Sequence, residues 1–171
     1  QLSLIWSLQL PALTAAWQED QRLHYDGGYE PIVSGGLIFI ASSRNDSVTA
    51  CDAATGRERW RFIAGGPVRF APVAAAGLLY FGADDGCFYC LDQRTGQVIW
   101  KFRVAPNERR VLGNGRLTSV WPVRGGAVLR DGRIWFTAGV WPFEGTFLCS
   151  FEASGAASAA GTFSSRRSYS L

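Results

Sequence analysis

The 171-residue sequence contains no methionine, not even at position 1, and only one histidine, His24. A chain without an initiating Met reads as a fragment or a processed product. A single His leaves a hydrolytic triad with no partner that can be named, and no GxSxG, HExxH or phosphate-loop motif occurs. Charge of one sign is also scarce. With 17 basic and 14 acidic residues the net charge is +3, too mild for a nucleic-acid footprint. The basic pairs Arg109-Arg110 and Arg166-Arg167 read as solvated loop charge. No apolar run reaches the 18 or so residues of a membrane span. Residues 1–10 are apolar but lack a basic leader and a small-residue cleavage site, which makes them a poor signal peptide.

What is present is the material of a packed domain. Hydrophobic residues make up 47%, with 7 Trp, 11 Phe and 5 Tyr, so disorder is excluded. The 20 glycines suit a chain with many tight turns.

Internal repetition decides the fold. Asp52, Thr55, Gly56, Trp60 and Phe62 recur as Asp92, Thr95, Gly96, Trp100 and Phe102, all displaced by 40 positions. Upstream, the Gly-led apolar stretch 36–41 recurs at 77–82 and again at 132–137. The best copy divides into four strands at 71–73, 78–83, 87–91 and 97–104. Turns fall at Ala75-Ala76-Gly77, Asp84-Asp85-Gly86 and residues 92–96. The second strand is uncharged on both alternating faces and belongs between stacked sheets. The fourth alternates, with Trp60 and Phe62 on one side and Arg59 and Arg61 on the other, as an outer strand does. A four-stranded unit, repeated, with doubly covered inner strands, describes the blades of a β-propeller.

Four cysteines occur at 51, 87, 90 and 149. Cys87 and Cys90 form a CxxC, but on a strand residues three apart point to opposite faces. A redox or zinc reading needs a helix N-terminus or a second ligand pair. Both thiols are therefore expected to be buried small hydrophobes. Asp84-Asp85 reads as a hairpin turn, with a calcium site as the alternative.

These residues resemble the pyrroloquinoline-quinone-type repeat, Ala-x-Asp-x-x-Thr-Gly-x-x-x-Trp. Ala50, Asp52, Thr55, Gly56 and Trp60 match it in full. Asp92, Thr95, Gly96 and Trp100 match with Cys90 at the Ala position. The resemblance covers residues 30–152 and implies an all-β fold, a partial β-propeller of about three four-stranded antiparallel blades. In it Thr and Gly shape a turn, Asp accepts backbone N–H bonds, and Trp docks on the neighbouring blade. The motif is structural, so it assigns no catalytic, cofactor-binding or metal residue.

The expected organisation is a blade remnant around Trp6 with a long loop through Trp17, His24 and Tyr25 (1–30), then blades at 31–62 and 63–104. A long loop (105–121), a degenerate blade (122–152) and a poorly ordered Ala/Ser-rich tail (153–171) follow. The third copy keeps Glu152, Ser154 and Gly155 but has Ala159 where the Trp belongs. Three blades do not close a disc of about four to eight. Missing blades or self-association are therefore expected.

Similarity to the outer-membrane-assembly lipoprotein implies a non-catalytic scaffold in the periplasm or cell envelope. Its loops or strand edges would bind a protein. Similarity to quinoprotein dehydrogenases implies instead an enzyme fragment, and a propeller appended to an unseen catalytic domain is the third reading. The quinone and calcium those enzymes use are not supported by the residues here. No vicinal Cys-Cys pair occurs, and no central Asp or calcium set can be assigned. The scaffold reading is preferred, with no cofactor expected.

Overall fold

The computed structural model describes residues 3–15, 27–113, 115–153 and, as backbone, 166–168. The segment holding Trp17, His24 and Tyr25 and the landmarks Ser154, Gly155 and Ala159 lie outside the described residues.

The fold is all-β and consists of three four-stranded antiparallel blades and one hairpin. Blade 1 is β1 (Ile32–Ser34), β2 (Leu37–Ser42), β3 (Ser47–Asp52) and β4 (Glu58–Ile63). Blade 2 is β5 (Val73–Ala75), β6 (Leu78–Gly82), β7 (Cys87–Asp92) and β8 (Val98–Arg103). A hairpin of β9 (Arg110–Gly113) and β10 (Arg116–Ser119) follows. Blade 3 is β11 (Val128–Arg130), β12 (Arg133–Ala138), β13 (Thr146–Glu152) and β14 (Arg166–Ser168). No helix in the described residues is long and apolar enough to cross a membrane.

Strand β5 lies two residues later than the sequence pattern suggests. Ala75 pairs with Leu78, so the turn is the two-residue Ala76-Gly77, both at positive φ (50° and 79°). An alanine in that conformation is strained, so the sequence favours a three-residue turn that the fold does not adopt. Two further elements have no signature in the pattern. The 105–121 segment, expected to be a loop, holds the β9–β10 hairpin. Within the Ala/Ser-rich tail, residues 166–168 pair with Thr146–Leu148, so the Arg166-Arg167 pair lies on a strand and not in a loop.

The core forms between blades. Phe39, Val48 and Ala50 of blade 1 pack on Leu79, Phe81, Cys87, Tyr89 and Leu91 of blade 2. The opposite face of blade 2, with Tyr80, Phe88 and Cys90, packs on Ile134, Phe136, Phe147 and Cys149 of blade 3. Cys87 and Cys90 therefore belong to different cores, as strand alternation requires. All four cysteines are buried and free. Burial pushes the Cys90 thiol up to about 12 and that of Cys149 to about 11, so neither is a thiolate at neutral pH.

Antiparallel alternation sorts the connections. The first and third turns of each blade leave from one face of the disc. The second turns leave from the other, together with the links between blades. We call these the turn face and the link face.

Candidate functional site

On the turn face the repeat motif closes a loop around its aspartate. Asp52 Oδ1 accepts the N–H groups of Ala54 (3.1 Å) and Thr55 (3.0 Å) and the Thr55 hydroxyl (2.9 Å). Asp92 repeats this with Arg94 (3.0 Å), Thr95 N–H (2.8 Å) and the Thr95 hydroxyl (2.8 Å). Gly56 and Gly96 follow at φ 71° and 72°.

The tryptophans dock on these turns. The Trp60 indole donates to Gln93 O (3.2 Å) and lies over Gly96, where a Cβ would come within 2.6 Å of the ring. Trp6 does the same one blade earlier: its indole donates to Ala53 O (3.0 Å), and a Cβ on Gly56 would meet it at 2.7 Å. Residues 3–15 thus supply blade 1 with the docking group of a preceding blade. Trp100 packs on Phe151 of blade 3 at 5.1 Å between ring centroids.

The hydroxyl of Thr55 holds the Asp52 carboxyl below its ordinary value, and Thr95 does the same for Asp92. A lowered folded pKa means stability present above the ordinary value of 3.8 and lost as pH falls through the folded value. Melting temperature measured from pH 6 down to pH 2 is expected to drop most steeply below pH 4, and Asp92→Ala is expected to flatten that drop.

The link face carries a buried charge cluster. Asp84 sits in the β6–β7 turn with its side chain 1% exposed. Arg69, from the blade 1–2 link, donates Nε to Asp84 Oδ2 (2.8 Å). Arg124, from the blade 2–3 link, donates Nε to Oδ1 and Nη2 to Oδ2, both at 2.8 Å. Backbone bonds stitch the same turn to both links, from Asp84 N–H to Pro67 O (2.9 Å) and from Ser119 N–H to Asp84 O (2.7 Å). Next to it, Asp85 accepts Cys87 N–H (3.0 Å) and the Tyr89 hydroxyl (2.5 Å), with Lys101 at 3.4 Å. Burial, then the bond to Asp85, pushes Tyr89 up to about 12. The Asp-Asp pair is thus a hairpin turn that also anchors two inter-blade links.

The Asp84-Asp85 turn has no unengaged carboxylate oxygen to offer a cation. Both Asp84 oxygens already accept guanidinium N–H groups, and both Asp85 oxygens are engaged. Among the described residues no group of three or more His, Cys, Asp or Glu could hold a metal.

Beside the triad lies a cavity of about 540 Å³ between the β9–β10 hairpin and the 140–144 turn. Its walls include Val111, Leu112, Trp141 and Phe143, with Arg109 and Glu144 paired at its rim. Leu112 is 77% and Phe143 80% exposed, and Trp141 stacks on Phe143 at 6.1 Å. An exposed aromatic cluster beside arginines has the composition of a protein-binding surface. Sequence reasoning names none of these residues as a site, because the two segments are joined only by the fold.

Stacked four-stranded blades, Asp-Thr-Gly turns and docked tryptophans define a segment of a β-propeller with pyrroloquinoline-quinone-like repeats. The family model for the outer membrane protein assembly factor BamB matches residues 3–138, and the chain belongs to that family. Among curated relatives, the dehydrogenase subunit of the quinone alcohol dehydrogenase of Gluconobacter oxydans (strain 621H) is 28% identical over 119 residues, 63% of this chain and 16% of the relative. Quinoprotein alcohol dehydrogenase PedH of Pseudomonas putida is 31% identical over 88 residues, 46% of this chain and 15% of the relative. The chain therefore spans about a sixth of the length of these relatives.

The fold is shared with solved structures. BamB from Moraxella catarrhalis aligns with a TM-score of 0.54 at 18% identity, over 78% of this chain and 34% of that one. The quinohemoprotein alcohol dehydrogenase of Comamonas testosteroni aligns at 0.59 and 20% identity, over 74% of this chain and 20% of that one.

Proposed function

We propose that this chain is a non-catalytic, protein-binding part of a cell-envelope propeller, docking its partner on the link face without quinone or calcium. The observation that carries the reading is the groove of Leu112, Trp141 and Phe143, open to solvent beside carboxylates already engaged by arginine, backbone or tyrosine groups. Membership in a family described as an assembly factor of outer-membrane proteins supports a protein partner and an envelope location.

Further blades, or a second copy, also belong to this reading. Tyr80 of blade 2 is 1% exposed because blade 3 covers it. Its counterpart Trp135, paired in the same way between β11 and β13, is 36% exposed. The far face of blade 3 is thus suited to another blade.

The test uses a photo-crosslinking residue at position 143, with one at position 94 on the turn face as the control. Crosslinks to envelope proteins are expected from 143 and not from 94. Equal crosslinking from both positions would defeat the docking surface.

The dehydrogenase-fragment reading has its own support, since curated relatives found by sequence are quinone-dependent alcohol dehydrogenases. Titrating the purified chain with pyrroloquinoline quinone and Ca²⁺, following cofactor absorbance, separates the two. No saturable binding at micromolar cofactor is expected, and saturation would favour the enzyme reading.

A further inference from the structure

The β9–β10 hairpin is an insertion into a link that otherwise repeats. Pro67-Val68-Arg69 of the blade 1–2 link recurs as Pro122-Val123-Arg124 of the blade 2–3 link, displaced by 55 positions where the blade motif is displaced by 40. Both ends of the link keep the same backbone bonds. Ala64 N–H on Asp46 O (2.7 Å) is matched by Val104 N–H on Gly86 O (3.0 Å). Asp84 N–H on Pro67 O (2.9 Å) is matched by Gly139 N–H on Pro122 O (2.9 Å). The fifteen extra residues therefore fall between Val104 and Pro122. Blades 1 and 2 join without such an insertion, so stacking does not require one.

The root of the insertion joins the core. Val120 and Trp121 are buried, and Ser119 N–H bonds Asp84 O (2.7 Å). The outer half is different. Leu112 and Leu117 pair across the two strands and are 77% and 56% exposed. Alternation puts Arg110 on their face, exposed and with no acidic partner among the described residues. Arg116 fixes the direction of the hairpin, donating Nη1 to Ser43 O (2.7 Å) and Nη2 to Asp46 Oδ2 (2.6 Å) of blade 1. Both side chains of that ion pair are partly exposed, so it orients more than it stabilises. Two leucines are thus held in water at a fixed place beside an unneutralised guanidinium. That arrangement adds nothing to the blades and has the make-up of a recognition surface.

We propose that the outer half of β9–β10 is a recognition element, selecting protein segments that carry an apolar or aromatic side chain next to a carboxylate. Leu112 and Leu117 take the apolar side chain at the edge of the groove, and Arg110 takes the carboxylate. Arg110 and Leu112 lie about 7 Å apart along the strand, the spacing of alternate residues in an extended segment. Like charge at Arg110 turns basic segments away. This inference rests on the docking reading and narrows its partner.

The probes are two short fluorescein-labelled peptides. One places Phe and Glu in turn at every second position with Ser between, and the other has Lys for Glu. Binding to the full chain is read by fluorescence anisotropy. The Glu peptide is expected to bind about tenfold more tightly at low salt, the ratio shrinking as salt is added. Arg110→Glu is expected to invert the preference. A trimmed chain without Leu112, Gly113, Arg116 and Leu117 joins Val111 to Thr118 through residues 114–115 and keeps the strand alternation. It is expected to lose binding while its melting temperature falls by no more than about 4 °C. Equal affinity for the two peptides, an unchanged preference in Arg110→Glu or a trimmed chain that still binds overturns the proposal. So does a trimmed chain that melts far lower, which makes the outer half a brace for the blades. If neither peptide binds, the proposal falls, while crosslinking from position 143 still decides the docking reading.

Discussion

Trp60→Ala is expected to destabilise the chain by about 3 kcal/mol, at the lower end for loss of a large packed aromatic because the ring is only partly buried. The ring packs on Phe39 at 5.8 Å, covers Gly96 and donates to Gln93 O, so it joins the core of one blade to the turn of the next. Total stability of such a domain is about 5–15 kcal/mol, so a single side chain carries a large share. For a chain of this size the melting temperature should fall by roughly 6–12 °C. Trp60→Phe retains most of the burial and loses the indole N–H bond, so about 1 kcal/mol is expected. Gly96→Ala attacks the same contact from below, placing a methyl group where the ring lies and a side chain at φ 72°. Its cost should be shared with Trp60→Ala, and a double-mutant cycle in denaturant is expected to show strong coupling. An unchanged melting temperature for Trp60→Ala would remove the docking account of the motif.

This contact is legible in the sequence because it is local and repeated. Asp, Thr, Gly and Trp hold fixed spacings, and each has a job that chemistry dictates: acceptor, hydroxyl donor, positive φ and a flat apolar ring. The blade strands are legible for the same reason, through alternation at Trp60 and Phe62 against Arg59 and Arg61. The β9–β10 hairpin is not. Its strands are four residues each, and its outward residues Leu112 and Leu117 are exposed, so no buried face marks a period. Nor does the sequence mark the groove, whose walls at 111–112 and 141–143 are about thirty positions apart and meet only because both segments leave from the link face.

The buried ion triad is the least legible feature, and it yields the second large effect. Asp84→Ala is expected to cost about 3–5 kcal/mol, as breaking a buried pair from one side does. The substitution withdraws the carboxylate shared by Arg69 and Arg124, whose side chains are 6% and 10% exposed. The two arginines come from consecutive inter-blade links, so the loss loosens both joints of blade 2 at once. Replacing all three residues by apolar side chains of similar volume should cost far less than Asp84→Ala alone, because the desolvation of three charges goes with their attraction. That non-additivity, read from urea unfolding of the single and triple variants, separates a structural anchor from a functional carboxylate. Ligand-binding carboxylates are held at some expense to the fold, and their removal often leaves stability unchanged or raised. A stable Asp84→Ala chain would therefore return Asp84 to the candidates for ligand binding. A chain that loses several kcal/mol, with the loss largely recovered in the apolar triple variant, makes the buried charge on the link face a joint between blades.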